Sequence, residues 1–256
     1  MLITPSRNTL NRVVILNPKG GCGKSTIATS IAAGYAGRGS TPAIMDFDPQ
    51  GSTLAWLERR PADLPPIHGI AAFKKSMQAT RSWQLRVPHD TVNLVVDSPA
   101  GLQHDELRDL TRDATSILVP VLPSPMDIHA ASRCIADLLL IAKVDRRDRK
   151  LAVIANRTRK NTKSFARLMR FLDSLGIPII AVLRDSQNFV YAAEKGLGIF
   201  EVQRSRARPD IDQFNKVMQW LDGWPERRRD AGNSTGLRRG PFAKVAFLHK
   251  PQTGST

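Results

Sequence analysis

Short runs of apolar, often β-branched residues recur along the chain, and stretches with helical spacing separate them. The runs are of strand length and predict strands at residues 12–17, 42–47, 92–97, 116–122, 151–156 and 178–183. Helical spacing is clearest at residues 25–38, 128–144 and 164–175. This alternation predicts an α/β fold, a doubly wound and mostly parallel sheet with helices on both faces and a ligand site at the carboxyl ends of the strands. Residues 60–91 show no regular pattern.

Length and composition set the number of domains. The chain has 256 residues, of which 41% are hydrophobic, and this supports one α/β core with little length to spare. We therefore predict a single domain over residues 1–225. Past Trp224 the sequence becomes rich in glycine, arginine and proline, which predicts a flexible basic tail over residues 226–256.

Positive charge is concentrated in the second half of the chain. Residues 1–142 hold 14 Lys and Arg against 12 Asp and Glu, whereas residues 143–256 hold 24 against 11. The formal net charge of +15 therefore divides into +2 and +13. A basic half with few aromatic residues suits the phosphate backbone of a nucleic acid better than stacked bases, and a merely solvated surface is the alternative.

Several classes of protein are excluded by what the sequence lacks. The longest apolar runs are too short to cross a bilayer and residues 1–11 lack a signal peptide's apolar stretch, so we expect a cytoplasmic protein. The two cysteines, Cys22 and Cys134, are too few for a disulfide framework and match no zinc spacing. The five histidines are scattered without ligand spacing and indicate no metal site.

A glycine-rich loop follows the first predicted strand directly. It fits the pattern K-G-G-x-G-K-[ST], whereas Pro18 occupies the first glycine position of the general phosphate-binding pattern. Glycines let backbone N–H groups converge on a phosphate chain, and the helix N-terminus behind them adds a favourable dipole. Lys24 supplies a cation for the β- and γ-phosphates, Ser25 a Mg²⁺ ligand and Thr26 a hydroxyl for the α-phosphate. The candidate nucleotide contacts in this loop are Gly20, Gly21, Cys22, Gly23, Lys24, Ser25 and Thr26.

Three motifs in order carry a resemblance to a known family. Residues 17–26 (NPKGGCGKST) resemble the deviant Walker A loop of ParA/MinD-type partition ATPases. Residues 46–52 (DFDPQGS) are similar to the family's D-x-D-P-Q-G element, and residues 95–100 (VVDSPA) to its Walker B strand. The resemblance implies a P-loop NTPase fold, ATP and Mg²⁺ as cofactors, slow ATP hydrolysis, and a homodimer that forms with ATP.

The resemblance also implies roles for single residues. Lys24 holds phosphate oxygens of its own subunit, and Lys19 reaches across the dimer to the partner's phosphates, in the manner of an arginine finger. Asp48 orients the attacking water, while Asp97 holds the Mg²⁺ shell through water. The predicted catalytic residues are therefore Lys19, Lys24 and Asp48, and the predicted Mg²⁺ residues are Ser25, Asp48 and Asp97.

The rest of the nucleotide site is fainter in the sequence. Two roles stay open for Asp46, which either assists the metal shell or caps the loop after the second strand. The resemblance implies that Asn156 reads adenine and that the loop at Arg184 and Asp185 closes over the base. Simple turn chemistry is the alternative explanation of these residues.

Relatives of this type bind non-specific DNA in a way that depends on the bound nucleotide. The basic residues of this chain form clusters that could contact DNA phosphates. Four flank the start of one predicted helix, two lie on that helix and three precede the last helix. The predicted DNA contacts are Arg157, Arg159, Lys160, Lys163, Arg167, Arg170, Arg204, Arg206 and Arg208. We expect a nucleoid-associated protein with a small stimulating partner of ParB-like or cargo-adaptor type. Only about eleven residues precede the first strand, too few for a helix-turn-helix, so sequence-specific repression is not expected.

Two other functions compete with this interpretation. A MinD-like membrane switch needs a C-terminal amphipathic segment, for which Phe242 to Lys250 is the candidate, but so short a segment anchors weakly. An iron–sulfur reductase of the nitrogenase iron protein type needs two cysteines per subunit, and one of the two here lies in the phosphate loop. The cargo stays open among partition complexes, carboxysome-like compartments and chemoreceptor arrays. Trp83, within residues 80–86, is either a partner anchor or a core residue.

Overall fold

A computed structural model gives the fold and describes residues 10–73 and 87–227. Trp83, the candidate membrane segment Phe242 to Lys250, and residues 228–256 of the predicted tail lie outside the described residues. Within the described part, no helix combines the length and the apolar character needed to span a membrane.

Seven parallel strands form one sheet in this part of the chain. They are β1 (Asn11–Ile15), β2 (Ala43–Asp46), β3 (His68–Ala71), β4 (Asn93–Asp97), β5 (Ser116–Val121), β6 (Leu151–Thr158) and β7 (Ile179–Arg184). Their order across the sheet is β3-β2-β4-β1-β5-β6-β7, and every strand runs parallel to its neighbours. β1 lies centrally between β4 and β5, so the strand order reverses there, which is where open α/β sheets bind ligands.

Helices cover both faces of the sheet. The helices that the structure describes are α1 (Lys24–Ala36), α2 (Ser52–Glu58), α3 (His104–Arg112), α4 (Pro125–Leu140), α5 (Lys163–Ser174), α6 (Gln187–Glu194) and α7 (Arg204–Asp222). Two short 3₁₀ helices are Arg146–Asp148 and Ile199–Glu201. The predicted doubly wound α/β fold is confirmed, and each of the six predicted strands ends within two residues of its expected position.

Alternation along the central strand divides the core into two clusters. Val13 and Ile15 point to one face, where they pack with buried residues of α1 and α7, while Val14 points to the other face with buried residues of α4 and α5. A strand buried on both faces is apolar at every position because both sides meet helices. This pattern explains the apolar run Val13 to Leu16, which leads into the glycine-rich loop.

Two features differ from the sequence-based expectations. β3 lies within residues 60–91, which showed no pattern, because it is a four-residue edge strand with two exposed positions. The prediction that Arg204, Arg206 and Arg208 precede the last helix was wrong, since α7 begins at Arg204. The first buried residue of α7 is Ala207, and a proline, Pro209, follows it. The first turn of the helix therefore shows no apolar periodicity from which its start could be predicted.

Candidate functional site

The glycine-rich loop connects β1 to α1 at the carboxyl end of the central strand. Gly23 caps the N-terminus of α1 with φ 92°, a left-handed conformation that residues with side chains adopt at a cost. A Cβ atom at Gly23 would also lie 2.5 Å from the amide nitrogen of Asn156. Both the backbone conformation and the available space therefore require glycine here, and the first N–H groups of α1 stay accessible beside it.

Asn17 anchors the loop, although sequence reasoning assigned it no role. Its side chain is 1% exposed, its Oδ1 accepts a 2.8 Å hydrogen bond from the Lys19 N–H, and its Nδ2 donates at 2.7 Å to the Pro120 carbonyl. The loop is thereby fixed to the end of β5. The signal in the sequence was an asparagine at the end of an apolar run, where a buried polar group requires partners.

Two lysines of the loop are held differently. Lys24 is 7% exposed, and its Nζ donates to the carbonyls of Asn17 at 3.0 Å and of Lys19 at 3.3 Å. The ammonium group is therefore enclosed by the loop's own backbone. Lys19 is half-buried, and its backbone is fixed at both its N–H and its carbonyl. Among the described residues we find no partner for the Lys19 ammonium group.

Two buried aspartates lie side by side on adjacent strands. Asp46 on β2 and Asp97 on β4 are register partners, and both are fully buried. Asp46 Oδ1 accepts from the Asp48 N–H at 2.9 Å, and Oδ2 accepts from the Thr53 N–H at 3.1 Å and the Thr53 hydroxyl at 2.6 Å. Of the two roles open for Asp46, these contacts correspond to capping the loop after β2. They also position Asp48, whose Oδ1 accepts from the Gln50 N–H at 3.0 Å.

Asp97 has no such partners. Neither of its carboxylate oxygens accepts a hydrogen bond within the described residues. The pKa of Asp97 is raised to about 7, chiefly by burial and also by the nearby charges of Asp46 and Asp48, while the Ser25 hydroxyl and the Lys24 charge oppose the shift. The Ser25 hydroxyl lies close enough to favour the ionised form but outside hydrogen-bond geometry. A buried carboxylate with free acceptor oxygens beside the loop fits a hydrated cation.

Replacing Asp97 with asparagine is expected to stabilise the protein at pH 8 in the absence of nucleotide and Mg²⁺. The folded state favours the protonated acid, so stability is highest below the ordinary carboxyl pKa and falls as the pH rises to about 7. Asparagine removes this penalty, roughly 2–4 kcal/mol at pH 8 and less towards pH 4. Urea unfolding across this pH range measures the difference.

The matched control for this prediction is Asp46→Asn. It neutralises an equally buried aspartate, but one whose oxygens accept three hydrogen bonds, so it should destabilise the protein. Equal destabilisation by the two changes at pH 8 would contradict our interpretation of Asp97.

An open cavity of about 760 Å³ extends from the glycine-rich loop along α6. Of the residues predicted for the nucleotide site, the lining includes Gly20, Gly21, Gly23, Lys24, Ser25, Thr26, Asp48, Asn156, Arg184 and Asp185. Further lining residues include Gln50, Arg59, Ser186, Gln187, Phe189 and Val190, to which sequence reasoning assigned no role. The structure thus brings the loop, the Asp48 turn and the end of β7 together around one space.

The residues predicted to contact adenine make contacts within the protein. Asn156 is 7% exposed, and its Nδ2 donates at 2.8 Å to the Cys22 carbonyl, which ties the end of β6 to the loop. Arg184 pairs with Asp210, and Asp185 accepts from Arg159 at 2.8 Å. Their role in binding a base stays a prediction.

Both cysteines are buried. Cys22 is fully buried and does not line the cavity, and Cys134 on α4 is 5% exposed. Burial raises the pKa of the Cys22 thiol, and it raises the pKa of Cys134 to about 12. Thiols with such values are protonated and unreactive at neutral pH. In the described part of the chain, no group of three or more His, Cys, Asp or Glu side chains is arranged to hold a metal.

The basic residues predicted to contact DNA divide into two groups. Lys160, Lys163, Arg167, Arg170, Arg204 and Arg208 are exposed. The other three are also exposed but have partners within the protein: Arg157 and Arg159 both pair with Asp185, and Arg206 donates to Asn188. Lys163, Arg167 and Arg170 are spaced along one face of α5.

Backbone N–H groups at a helix start, beside an enclosed ammonium group, are suited to a phosphate chain. Together with the doubly wound parallel sheet, they define a P-loop nucleotide-binding protein. The model of the CobQ/CobB/MinD/ParA nucleotide binding domain matches residues 13–199, and the chain belongs to this family of nucleotide-binding ATPases.

Individual relatives agree with this assignment. The chain is 29% identical over 212 residues to the maintenance of carboxysome distribution protein A of Halothiobacillus neapolitanus, covering 80% of this chain and 94% of the relative. Its fold is similar to that of apo McdA from Cyanothece, with a TM-score of 0.64, 16% identity and coverage of 83% of this chain and 99% of the other. A plasmid partition protein of Borrelia burgdorferi bound to AMPPNP gives a TM-score of 0.63 at 12% identity, covering 83% and 98%.

Proposed function

We propose that this ATPase is a dimerising switch that binds non-specific DNA in its ATP state and positions a cargo. Hydrolysis is slow and is stimulated by a small partner protein. The observation that carries the proposal is the different placement of the two lysines in one loop. Lys24 is enclosed by the loop and serves the nucleotide of its own subunit. Lys19 has a fixed backbone and a half-exposed side chain, as a residue that reaches a second subunit requires.

The buried carboxylate of Asp97 supports a Mg²⁺ requirement. Its free oxygens and the neighbouring Ser25 fit the water shell of a cation, and Mg²⁺ keeps several waters when it binds with a nucleotide. When bound, the ion neutralises charge on the transferring phosphoryl group. The chain's own contribution is then to hold this shell and to orient the attacking water through Asp48, whose position Asp46 fixes.

Exposed basic residues at the start of α7 and on and just before α5 support DNA binding, although these two helices cover opposite faces of the sheet. Lys160, Lys163, Arg167, Arg170, Arg204 and Arg208 are exposed, and the C-terminal half of the chain carries most of the net charge. Each phosphate that these residues neutralise releases counterions, so binding weakens as salt increases. A dimer doubles the number of contacts. We expect the ATP form to associate with the nucleoid.

The name of the carboxysome relative favours a protein assembly as the cargo. That relative shares most of its length with this chain. We propose a protein compartment or array as the first candidate and a chromosome or plasmid partition complex as the second. The stimulating partner would be a ParB-like protein or a cargo adaptor.

Fluorescence anisotropy with random-sequence DNA tests the proposed function. The protein is titrated with ATP and Mg²⁺, with ADP, and without nucleotide, at several salt concentrations. We expect binding about tenfold tighter with ATP and a steep loss of affinity with salt. Arg167→Gln should reduce the salt dependence of the DNA affinity. Arg112→Gln on α3 removes the same charge outside the proposed DNA contacts and should leave this dependence unchanged. Equal affinity in all three nucleotide states would overturn the switch.

A further inference from the structure

A buried polar network joins the wall of the nucleotide cavity to the start of α7. Its centre is Asp210, which is fully buried on α7. Asp210 accepts two hydrogen bonds from the Arg184 guanidinium at 2.5 and 2.9 Å, one from the Ser186 hydroxyl at 3.0 Å and one from Asn188 Nδ2 at 2.6 Å. Burial opposes ionisation, but these donors outweigh it and lower the pKa of Asp210. The centre of the network is therefore a buried, ionised carboxylate.

Arg206 is an exposed residue, but its side chain belongs to the same network. Its Nε donates at 2.9 Å to Asn188 Oδ1, and its carbonyl accepts from Asn188 Nδ2 at 3.2 Å. Its guanidinium also lies 4.3 Å from the centre of the Tyr191 ring. Asn188 thus bridges Asp210 and Arg206. Arg204 and Arg208 are exposed on the same turns of α7.

The other end of the network forms part of the cavity. Arg184, Ser186 and Gln187 all line it. The Arg184 N–H donates to Gln213 Oε1 on α7 at 2.8 Å, so both the backbone and the side chain of Arg184 are bonded to α7. A buried carboxylate that loses a donor is costly, so these groups are expected to shift together. Displacement of the cavity wall therefore carries the first turns of α7 with it.

We propose that Asn188 and Arg206 are positioning residues that couple the nucleotide cavity to the orientation of Arg204 and Arg208. The inference rests on the proposed function, in which these two arginines contact DNA phosphates. It assigns Arg206 a role different from theirs, because its guanidinium is committed to α6. Nucleotide in the cavity determines the position of the wall formed by Arg184 to Gln187. Through the network, the position of this wall determines the position of the first turns of α7.

Arg206→Lys tests the proposal because it keeps the charge but cannot both donate to Asn188 in the same geometry and stack on Tyr191. The measurement is the ratio of DNA affinities with ATP and with ADP. In the variant we expect the ratio to fall from about tenfold to about twofold, with ATP affinity unchanged. Arg112→Lys is the matched control: it is the same substitution at an exposed arginine on α3 that lies outside the proposed DNA contacts, and the ratio should persist.

Asn188→Ala removes the side chain that joins Arg206 to Asp210 and changes no charged residue. It should lower the ratio as Arg206→Lys does, and thermal melts of both variants establish that they are folded. An unchanged ratio in either folded variant would overturn the coupling while the proposed function stands. An equal loss of DNA affinity in both nucleotide states would make Arg206 a phosphate contact and would also overturn it. If the unmodified protein binds DNA equally well with ATP and with ADP, the proposed function itself fails.

Discussion

Replacing Lys24 with alanine is expected to weaken ATP binding by about 100-fold or more, which corresponds to about 2.7 kcal/mol. The ammonium group of Lys24 is enclosed by loop carbonyls, where a phosphate chain would exchange those neutral acceptors for anionic ones. The other cations in the lining are Arg59, Arg157 and Arg184, and the last two are already paired with Asp185 and Asp210. Titration calorimetry with ATP and Mg²⁺ measures the change.

Because Lys24 also bonds the loop backbone, its removal requires a check on folding. Thermal melts of Lys24→Ala without nucleotide should show a folded protein with a modest loss of stability, since two hydrogen bonds from one side chain are removed. An ATP affinity within about twofold of the original in a folded variant would show that this loop is not the phosphate site.

Replacing Lys19 with alanine is expected to give the opposite combination of effects. ATP binding should stay within about threefold, while hydrolysis falls by about 10³-fold and the ATP-dependent dimer is lost, because in the proposed switch this cation acts on the partner's phosphates. The backbone contacts of Lys19 to Asn17 and Lys24 do not depend on its side chain, so the loop is preserved. Single-turnover hydrolysis and light scattering with ATP measure the two properties. Normal dimerisation and hydrolysis in this variant would remove the main argument for a trans lysine.

Much of the fold was predictable because its signals are local. Strands buried on both faces are continuous apolar runs, and six of the seven were located in this way. The glycine-rich loop was recognisable from its glycines together with Lys19, Lys24 and Ser25. β3 was not, because a short edge strand needs only one apolar side chain facing the core, here Ile70. Its position depends on pairing with β2, a contact that no local pattern encodes.

The sequence indicated many residues that line the cavity, but it did not indicate their contacts within the protein. It located Asp46 beside the loop after β2, but the hydrogen bonds from Thr53 that correspond to a cap are visible only in the structure. Similarly, a run of alternating arginines indicated one surface, yet the structure separates Arg206 from its neighbours through Asn188. The anchoring contact of Asn17 was not predictable, because its partner Pro120 lies 103 residues away in sequence.

The burial of both cysteines makes this chain a convenient starting point for site-specific labelling. Cys22 and Cys134 are at most 5% exposed, and their thiols stay protonated at neutral pH. Maleimide dyes should therefore not react with them in the folded protein. A single cysteine introduced at an exposed position, such as Lys160 just before α5, then becomes the preferred target for the dye. Energy transfer between two labelled copies can follow subunit association in real time without first removing the native thiol from the phosphate loop.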